Sequence, residues 1–249
     1  MTFHSILSSF QLEISLACLL VVLGFSAIVF FYKARQRQFI RAASDCRKYL
    51  ESPLIGSMTG GPELASIWHI DTQSIEKLRE ASHSLMTSSS FAKSTKDARI
   101  IAFVSAKKNE GASACALACA ASLAEHGQRT LLIDAAQNHH TSGKPGHNNP
   151  NQLDHHALPT AIDSLFLMNR ENSENPEIFA EAQEWFHRIV IDAGAILNAE
   201  NIAPVLRAHA VCLSVKQSRT RMADAQAALA LLGKESANTI GIVLKRTDG

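Results

Sequence analysis

Short apolar runs alternate along the chain with longer, alanine-rich stretches that have a helical period. The runs lie at 99–105, 129–135, 164–168, 188–194, 210–215 and 239–245, and the helix-like stretches at 71–90, 112–126, 176–186, 199–208 and 220–233. Since each run is almost entirely apolar, both of its faces are expected to be covered, as in a parallel sheet between two layers of helices. The pattern therefore predicts an α/β domain at 70–249 with a doubly wound, mainly parallel sheet.

A longer apolar stretch precedes this domain. No charged residue lies between Ile14 and Tyr32, and as a helix of about 1.5 Å per residue the stretch would measure about 28 Å, close to a bilayer core. Basic residues follow it, but none precedes it, and no small-residue cleavage site is present. We therefore expect a membrane anchor at 14–32 rather than a signal peptide, with 1–13 outside the membrane and the main domain in the cytoplasm. Residues 33–69 then form a basic juxtamembrane segment and a linker.

Composition narrows the function classes only a little. The formal net charge is +1, so no broad basic field suggests nucleic acid as a partner. Five scattered cysteines lack metal-ligand spacing and are expected to be buried thiols rather than a disulfide framework. The polar stretch 137–160 contains five histidines but no rigid ligand pattern, so a solvated loop is favoured over a metal site.

The sequence SAKKNEGAS at 105–113 follows an apolar run and opens a helix, as a phosphate-binding loop does. Gly111 and Ser113 occupy their expected places, but Ala112 stands where such a loop carries lysine. Asp134 and Asp192 end two of the predicted strands, where an acid commonly serves Mg²⁺ or caps a turn. Because ligands bind beyond the carboxyl ends of parallel strands, these residues indicate descent from a nucleotide site.

These ordered motifs resemble the cytoplasmic domain of bacterial tyrosine kinases, which regulate the chain length of capsule and exopolysaccharide with their co-polymerase partners. The resemblance covers about 74–246. Glu76 and Arg79 match the family's ExxRxxR helix, whose last arginine is Ser82 here. The phosphate loop matches at 105–113, the LLIDADxR motif at 131–138, the strand before the second acid at 189–192, and a downstream helix at 220–232.

The resemblance implies a P-loop NTPase-like fold of the deviant Walker A class, a subunit contact at Glu76 and Arg79, and location at the bacterial inner membrane. It also implies co-polymerase, polymerase or export proteins as partners, and possible homo-oligomers. Ala112, Ala136 and Asn138 depart from the family's catalytic pattern, and no tyrosine cluster follows the domain. We therefore expect a pseudokinase regulator of polysaccharide biosynthesis without catalytic residues, which binds Mg-ATP or ADP weakly at most. The expected vestigial nucleotide site consists of Lys107, Glu110, Gly111, Ala112, Ser113, Asp134 and Asp192.

A second interpretation stays open. Lys107 falls at the signature-lysine position of the related partition and division-site ATPases, where it would supply a phosphate contact in place of the missing lysine. In that case the protein would act in protein localisation or in pilus or secretion assembly. The alternative for Lys107 and Lys108 is that both are solvated loop charges.

Overall fold

The computed structural model describes residues 21, 23–26, 38–60, 72–136, 156–198 and 201–246. The chain divides into two units, 1–39 and 40–249, and every element described below lies in the second. No helix within the described ranges is both long enough and apolar enough to cross a membrane. This finding contradicts the predicted inner-membrane localisation. Most of the predicted anchor at 14–32 lies outside the described residues.

An eight-stranded sheet forms the centre of the 40–249 unit, in the order β1-β8-β7-β2-β6-β3-β5-β4. Every neighbouring pair is parallel except β4 and β5. The strands are β1 (Leu54–Thr59), β2 (Ile100–Ser105), β3 (Thr130–Asp134), β4 (Ala157–Pro159), β5 (Leu165–Asn169), β6 (Arg188–Ala195), β7 (Ala210–Lys216) and β8 (Thr239–Arg246). The prediction of a mainly parallel sheet is confirmed.

Helices cover both faces of this sheet. They are α1 (Ala43–Tyr49), α2 (Thr72–Met86), α3 (Ser89–Thr95), α4 (Ala112–Glu125), α5 (Arg170–Glu174), α6 (Pro176–Trp185), α7 (Ile202–Val205) and α8 (Met222–Lys234). Alternate side chains of β2 enter opposite core clusters, with Ile100 and Val104 on one face and Ile101 and Phe103 on the other. Both faces of a central strand are therefore buried, which explains why its sequence lacks an alternating pattern.

Helix α4 is the most deeply buried helix described, because small residues let it approach the sheet closely. Nearly all of its alanines and cysteines are inaccessible to solvent, and it packs against α2 and β6. Alanine also has the highest intrinsic helix propensity, so the same residues favour both the helix and its burial. The close packing fixes the start of α4 relative to the carboxyl ends of β2 and β6.

Residues 40–60 belong to this unit. The sequence pattern had predicted that they form part of a basic juxtamembrane segment and linker, with the domain starting at residue 70. Ile40 and Cys46 are fully buried, and β1 pairs in parallel with β8 at the edge of the sheet. The strand includes Gly56 and Ser57 and lacks the apolar run of the central strands, which is why its pattern resembled a linker. Strand β4 was also missed, because it has three residues at the end of the polar stretch; residues 137–155 of that stretch lie outside the described ranges.

The two residues expected at a subunit contact lie on the outer face of α2. Glu76 and Arg79 are exposed, and Arg79 Nε lies 3.6 Å from Glu125 Oε1 on α4. Ser82, at the position of the last arginine in the ExxRxxR motif, is only 2 % exposed, and its hydroxyl donates a hydrogen bond to the Ala118 carbonyl at 2.9 Å. In this chain that position is therefore part of the α2–α4 packing rather than of an exposed surface.

Replacing Ser82 with arginine is expected to destabilise the protein instead of restoring a subunit contact. The substitution places a guanidinium group in a buried interface, which we expect to cost about 2 kcal/mol or more in the free energy of unfolding. Urea denaturation of the full chain measures this, with His83→Arg at the exposed neighbouring position as the control, expected within about 0.5 kcal/mol of wild type. Equal stability of the two variants would show that position 82 has free access to solvent.

Candidate functional site

The turn between β2 and α4 brings backbone N–H groups to the start of a buried helix. Asn109 and Gly111 both have positive φ, 64° and 107°, and Gly111 is the residue immediately before α4. The Lys107 N–H donates to Glu110 Oε2 at 2.8 Å, and the Ser105 hydroxyl donates to the Lys107 carbonyl at 2.9 Å. The first N–H groups of a helix have no intrahelical acceptor, so this closed turn keeps the backbone cradle of a phosphate loop.

Gly111 is required by both conformation and space. A Cβ atom at this position would lie 2.9 Å from Lys245 Cδ and 3.3 Å from Lys245 Cβ, so the lysine stem from the end of β8 covers the glycine directly. The next residue, Ala112, is 3 % exposed, and its methyl group belongs to the core cluster around α4. The position expected to hold a phosphate-binding lysine therefore contributes packing and no charge.

Two carboxyl groups meet at the carboxyl ends of adjacent strands. Asp134 and Asp192 are register partners in the β3–β6 pair, and both are buried. The Asp192 Oδ1 accepts the Gly194 N–H at 3.1 Å, and Asp134 Oδ1 accepts the Ala136 N–H at 3.3 Å. The sequence prediction that these strand ends converge beside Ser113 is consistent with this geometry, because Ser113 also bonds to the Asp192 side chain.

The Asp192 carboxyl group is fully buried, which disfavours its ionised form. Its Oδ2 is buried and has no hydrogen-bond partner among the described residues. Burial raises the pKa of Asp192 to about 7; the Ser113 hydrogen bond opposes this shift, the Asp134 charge adds to it, and the Gly194 N–H opposes it. An orphaned carboxyl oxygen at this depth is suited to a proton or to a cation brought by a ligand.

The ammonium group of Lys107 is engaged in an ion pair outside the loop. Its Nζ lies 2.7 Å from Asp224 Oδ2 in the first turn of α8. Below it, Glu110 is nearly buried, and burial raises its pKa, opposed by hydrogen bonds from the Lys107 backbone and the Thr220 side chain. Glu110 therefore shapes the turn, while Lys107 ties the turn to α8.

A second polar network borders the Asp134 side of the same edge. Arg170 Nη1 lies 3.2 Å from Asn201 Oδ1, and Asn201 Nδ2 donates to the Ala195 carbonyl at 2.9 Å. Arg170 Nε also pairs with Glu174 Oε1 at 2.6 Å. These contacts hold the segments that follow β5 and β6, so the carboxylate pair lies in a fixed frame. Gly194 adds to this frame, because a Cβ there would lie 2.7 Å from the Ala136 Cβ.

Several of these residues were missed by sequence reasoning: Thr220, Asp224, Lys245, Arg170 and Asn201. Lys245 had one usable signal, since it stands near the carboxyl end of the last predicted strand and so at the same edge as Asp134 and Asp192. Asp224 lies in the first turn of α8. Its sequence position did not indicate a place in the site, because its partner Lys107 is far away in sequence.

The cysteines outside this site agree with the sequence interpretation. The four in the described ranges, Cys46, Cys115, Cys119 and Cys212, are free and buried. Burial raises the pKa of Cys115 to about 11 and that of Cys119 to about 12, so both remain neutral thiols. No group of three or more histidine, cysteine, aspartate or glutamate residues within the described ranges is arranged to hold a metal ion.

No protein-family model matches the chain, and no curated protein matches it. Solved structures do match. The kinase domain of the Escherichia coli tyrosine kinase ETK aligns at a TM-score of 0.66 and 14 % identity, over 84 % of this chain and 95 % of that one. The BceF tyrosine kinase domain aligns at 0.61 and 14 %, over 84 % and 99 %. The VpsO kinase domain aligns at 0.52 and 20 %, over 63 % and 92 %. At these identities the comparison establishes the fold: the chain has the fold of bacterial tyrosine kinase domains, as its motifs predicted.

Replacing Asp192 with asparagine is expected to weaken the dependence of stability on pH. A folded-state pKa of about 7 against an ordinary value of 3.8 means that the folded protein binds the extra proton. The stability contributed by this proton is complete below the ordinary value and is lost as pH rises through about 7. Between about pH 5 and pH 8 wild type should lose about 2–3 kcal/mol through this group, a loss absent from the variant.

Urea denaturation of the full chain at both pH values measures this difference. Asp163→Asn, at an exposed position before β5, is the matched control and should keep the slope of wild type. Glu110 contributes a slope of the same sign in all three proteins, since its pKa is also raised. An unchanged slope in the Asp192 variant would show that this carboxyl group ionises as a solvent-exposed one does.

Proposed function

We propose that this chain is a member of the bacterial tyrosine kinase family that has lost catalysis and acts as a regulator of exopolysaccharide or capsule biosynthesis, polymerisation or export. The observation that carries the proposal is Ala112, whose methyl group is packed in the core at the position of the phosphate-loop lysine. In phosphoryl transfer that lysine stabilises the developing charge on the phosphoryl group. The shared fold with bacterial tyrosine kinase domains supports the family assignment.

The remaining charges around the loop favour the same proposal. Lys107, which stands at the signature-lysine position of the alternative interpretation, is paired with Asp224 at 2.7 Å. Ala136 occupies the position of the family's second motif carboxylate and presents only a methyl group next to Gly194. Each lost charged contact is worth about 1.5–3 kcal/mol, so the two losses together would move a micromolar nucleotide site to the millimolar range or beyond.

The residues present fit a phosphate group, even without the lysine. The N–H groups at the start of α4 provide its cradle, and the buried Asp192 Oδ2 provides an oxygen for an accompanying cation. A bound nucleotide would supply the phosphate charge that these groups are arranged to hold. We therefore propose that Mg-ATP or Mg-ADP acts, where it binds at all, as a weakly held ligand and not as a substrate.

The alternative is a partition-type ATPase that acts in protein localisation or in pilus or secretion assembly. It requires the Lys107 ammonium group at a phosphate, and the Lys107–Asp224 ion pair withholds that group. A nucleotide-driven change in oligomeric state would favour this alternative. Sedimentation of the full chain with and without Mg-ATP therefore separates the two candidates.

The regulatory proposal is tested by deleting the gene in the bacterium that carries it and measuring the amount and chain length of the secreted polysaccharide. We expect the deletion to change the polymer, and both wild type and Lys107→Met to restore it, because the proposed role does not use the Lys107 charge. The partners we propose are polysaccharide co-polymerase, polymerase or export proteins, identified by cross-linking in the complemented strain. A normal polymer with misplaced pili or secretion machinery would contradict the proposal.

The catalytic part is tested on the purified full chain. Wild type is expected to show no measurable ATP hydrolysis and no tyrosine phosphorylation. The double variant Ala112→Lys/Ala136→Asp should bind Mg-ATP about 10- to 100-fold more tightly, because each added charge restores a contact worth about 1.5–3 kcal/mol less the cost of disturbing the buried site at Ala112. It should still lack kinase activity, because tighter binding of the nucleotide does not by itself stabilise the transition state of phosphoryl transfer.

Calorimetric titration measures the affinity, with Ala92→Lys as the control, which adds the same charge at an exposed position on α3. Micromolar binding of Mg-ATP by wild type would show that another cation compensates fully for the missing lysine. Tyrosine phosphorylation by wild type would contradict the loss of catalysis.

A further inference from the structure

Three arginines form a row at the edge of the sheet where the parallel strands begin, opposite the edge that carries the phosphate loop. Strands β2, β6 and β3 are neighbours in the sheet, and Arg99, Arg188 and Arg129 stand at or just before their first residues. The Arg99 carbonyl accepts the Ile189 N–H at 2.9 Å, and the Arg129 carbonyl accepts the Arg188 N–H at 3.4 Å. The three side chains therefore start from adjacent backbone positions, and we call them the arginine row.

Arg129 is held by aromatic rings instead of by an anion. Its Cζ lies 5.0 Å from the ring centroid of Phe166, 5.1 Å from that of Trp185 and 5.3 Å from that of Phe186. Rings attract a guanidinium group through their negative faces and do not use its N–H donors as a carboxylate does. Among the described residues, the Arg129 guanidinium has neither a hydrogen-bond acceptor nor a carboxylate partner, and its Nε is buried in that state. Arg129 is therefore a positioned cation whose charge no anion of the described chain compensates.

The other two arginines of the row bind neutral acceptors. Arg99 Nη2 donates to the Phe186 carbonyl at 3.0 Å, so Arg99 and Arg129 contact the same residue. Arg188 Nη2 donates to the Lys96 carbonyl at 2.9 Å, just after α3. A carbonyl group carries no net charge, so these bonds position the guanidinium groups without neutralising them. The row thus concentrates positive charge on a small area, which attracts an anion.

Two exposed carboxylates, Asp97 and Glu184, lie near the row in sequence. Neither is within ion-pair distance of an arginine of the row in the part of the chain that the structure describes. The charge of the row is therefore available to a carboxylate from another molecule.

Charge and shape favour a carboxylate-bearing peptide as the occupant. Nucleic acid and anionic membranes are bound by broad basic fields, and a single row of three arginines is not one. The planar fork of arginine matches a planar carboxylate, which accepts two parallel N–H bonds. Trp185 is 41 % exposed beside Arg129, and exposed tryptophan next to arginine is the composition typical of protein-binding surfaces.

We propose that the arginine row and Trp185 form a docking surface for an acidic segment of a partner protein. Carboxylates of that segment bind Arg129 and Arg99, and an apolar side chain next to them covers Trp185. Arg188 adds positive charge, while its own hydrogen bonds tie the row to the end of α3. The surface lies at the opposite edge of the sheet from the phosphate loop, so the inference depends neither on nucleotide binding nor on the loss of catalysis.

The test is the binding of a fluorescein-labelled peptide, Glu-Glu-Leu-Glu-Glu-Leu-Glu-Glu, to the purified full chain, measured by fluorescence anisotropy. The same peptide with glutamine in place of every glutamate is the matched ligand control, and we expect it to bind at least about tenfold more weakly, because it lacks the charge-assisted hydrogen bonds. Equal binding of the two peptides, or no binding of the acidic peptide at millimolar concentration, would overturn the proposal.

Variants of the chain locate the binding surface. Arg129→Met keeps an apolar stem against the rings and should weaken binding of the acidic peptide about tenfold or more. Arg129→Lys should weaken it about threefold or more, because an ammonium group lacks the planar fork. Arg99→Met changes an exposed side chain and should weaken it about threefold to fivefold, which tests the row without disturbing the aromatic cluster. Arg47→Met removes the same charge on the exposed side of α1 and should change the affinity by less than about twofold.

Circular dichroism and thermal unfolding show whether each variant keeps the fold. An equal loss of affinity in Arg47→Met and in the row variants would reduce the effect to net charge and overturn the proposal. Unchanged binding in folded Arg129→Met and Arg99→Met would overturn it as well. Vesicles of phosphatidylserine in phosphatidylcholine are the remaining arm. If they bind the chain through Arg129 while the acidic peptide does not bind, the surface serves a membrane and the proposal is wrong.

Discussion

The burial of the Asp192 carboxyl group is the constraint around which the rest of the site is arranged. A parallel sheet brings the ends of β2, β3 and β6 to one edge, and α4 covers that edge so closely that Asp192 has no access to solvent. One of its oxygens is satisfied by Gly194 and the other is not. An ionised group in this position costs free energy unless a proton or a cation compensates it, and the adjacent Asp134 increases that cost.

The charged side chains around this edge are arranged about a phosphate-loop turn that carries alanine at position 112. At position 112, where the motif predicts a phosphate-binding lysine, the side chain is a methyl group that packs in the core. Lys107 is engaged by Asp224, which closes the turn from the side of α8. The aliphatic stem of Lys245, from β8, lies against Gly111. The backbone cradle is therefore preserved by packing that does not depend on the missing charge.

Sequence reasoning found what depends on local pattern and failed where distant segments meet. Asp134 and Asp192 were predictable because each follows a continuous apolar run and parallel strands end at a common edge. Strand β1 was missed because Gly56 and Ser57 interrupt its apolar residues, so its sequence lacks the continuous apolar run of the central strands. The Lys107–Asp224 ion pair joins residues on different elements, and the burial of Ser82 depends on how α2 lies on α4. Neither contact leaves a periodic signal in the sequence.

Under the proposed function, the charge state of Asp192 would couple ligand binding to the stability of the fold. Burial raises the pKa of this carboxyl group from its ordinary value of 3.8 to about 7, so ionising it in the folded protein costs free energy. A ligand that brings a cation to Oδ2 removes that cost as it binds, and this gain adds to the contacts made by the phosphates. Under the proposed function, a phosphate ligand would gain affinity from two sources, the N–H groups at the start of α4 and the neutralisation of the buried Asp192 charge. Both sources would stabilise the bound ligand, and neither places a cation where charge develops on the phosphoryl group in the transition state.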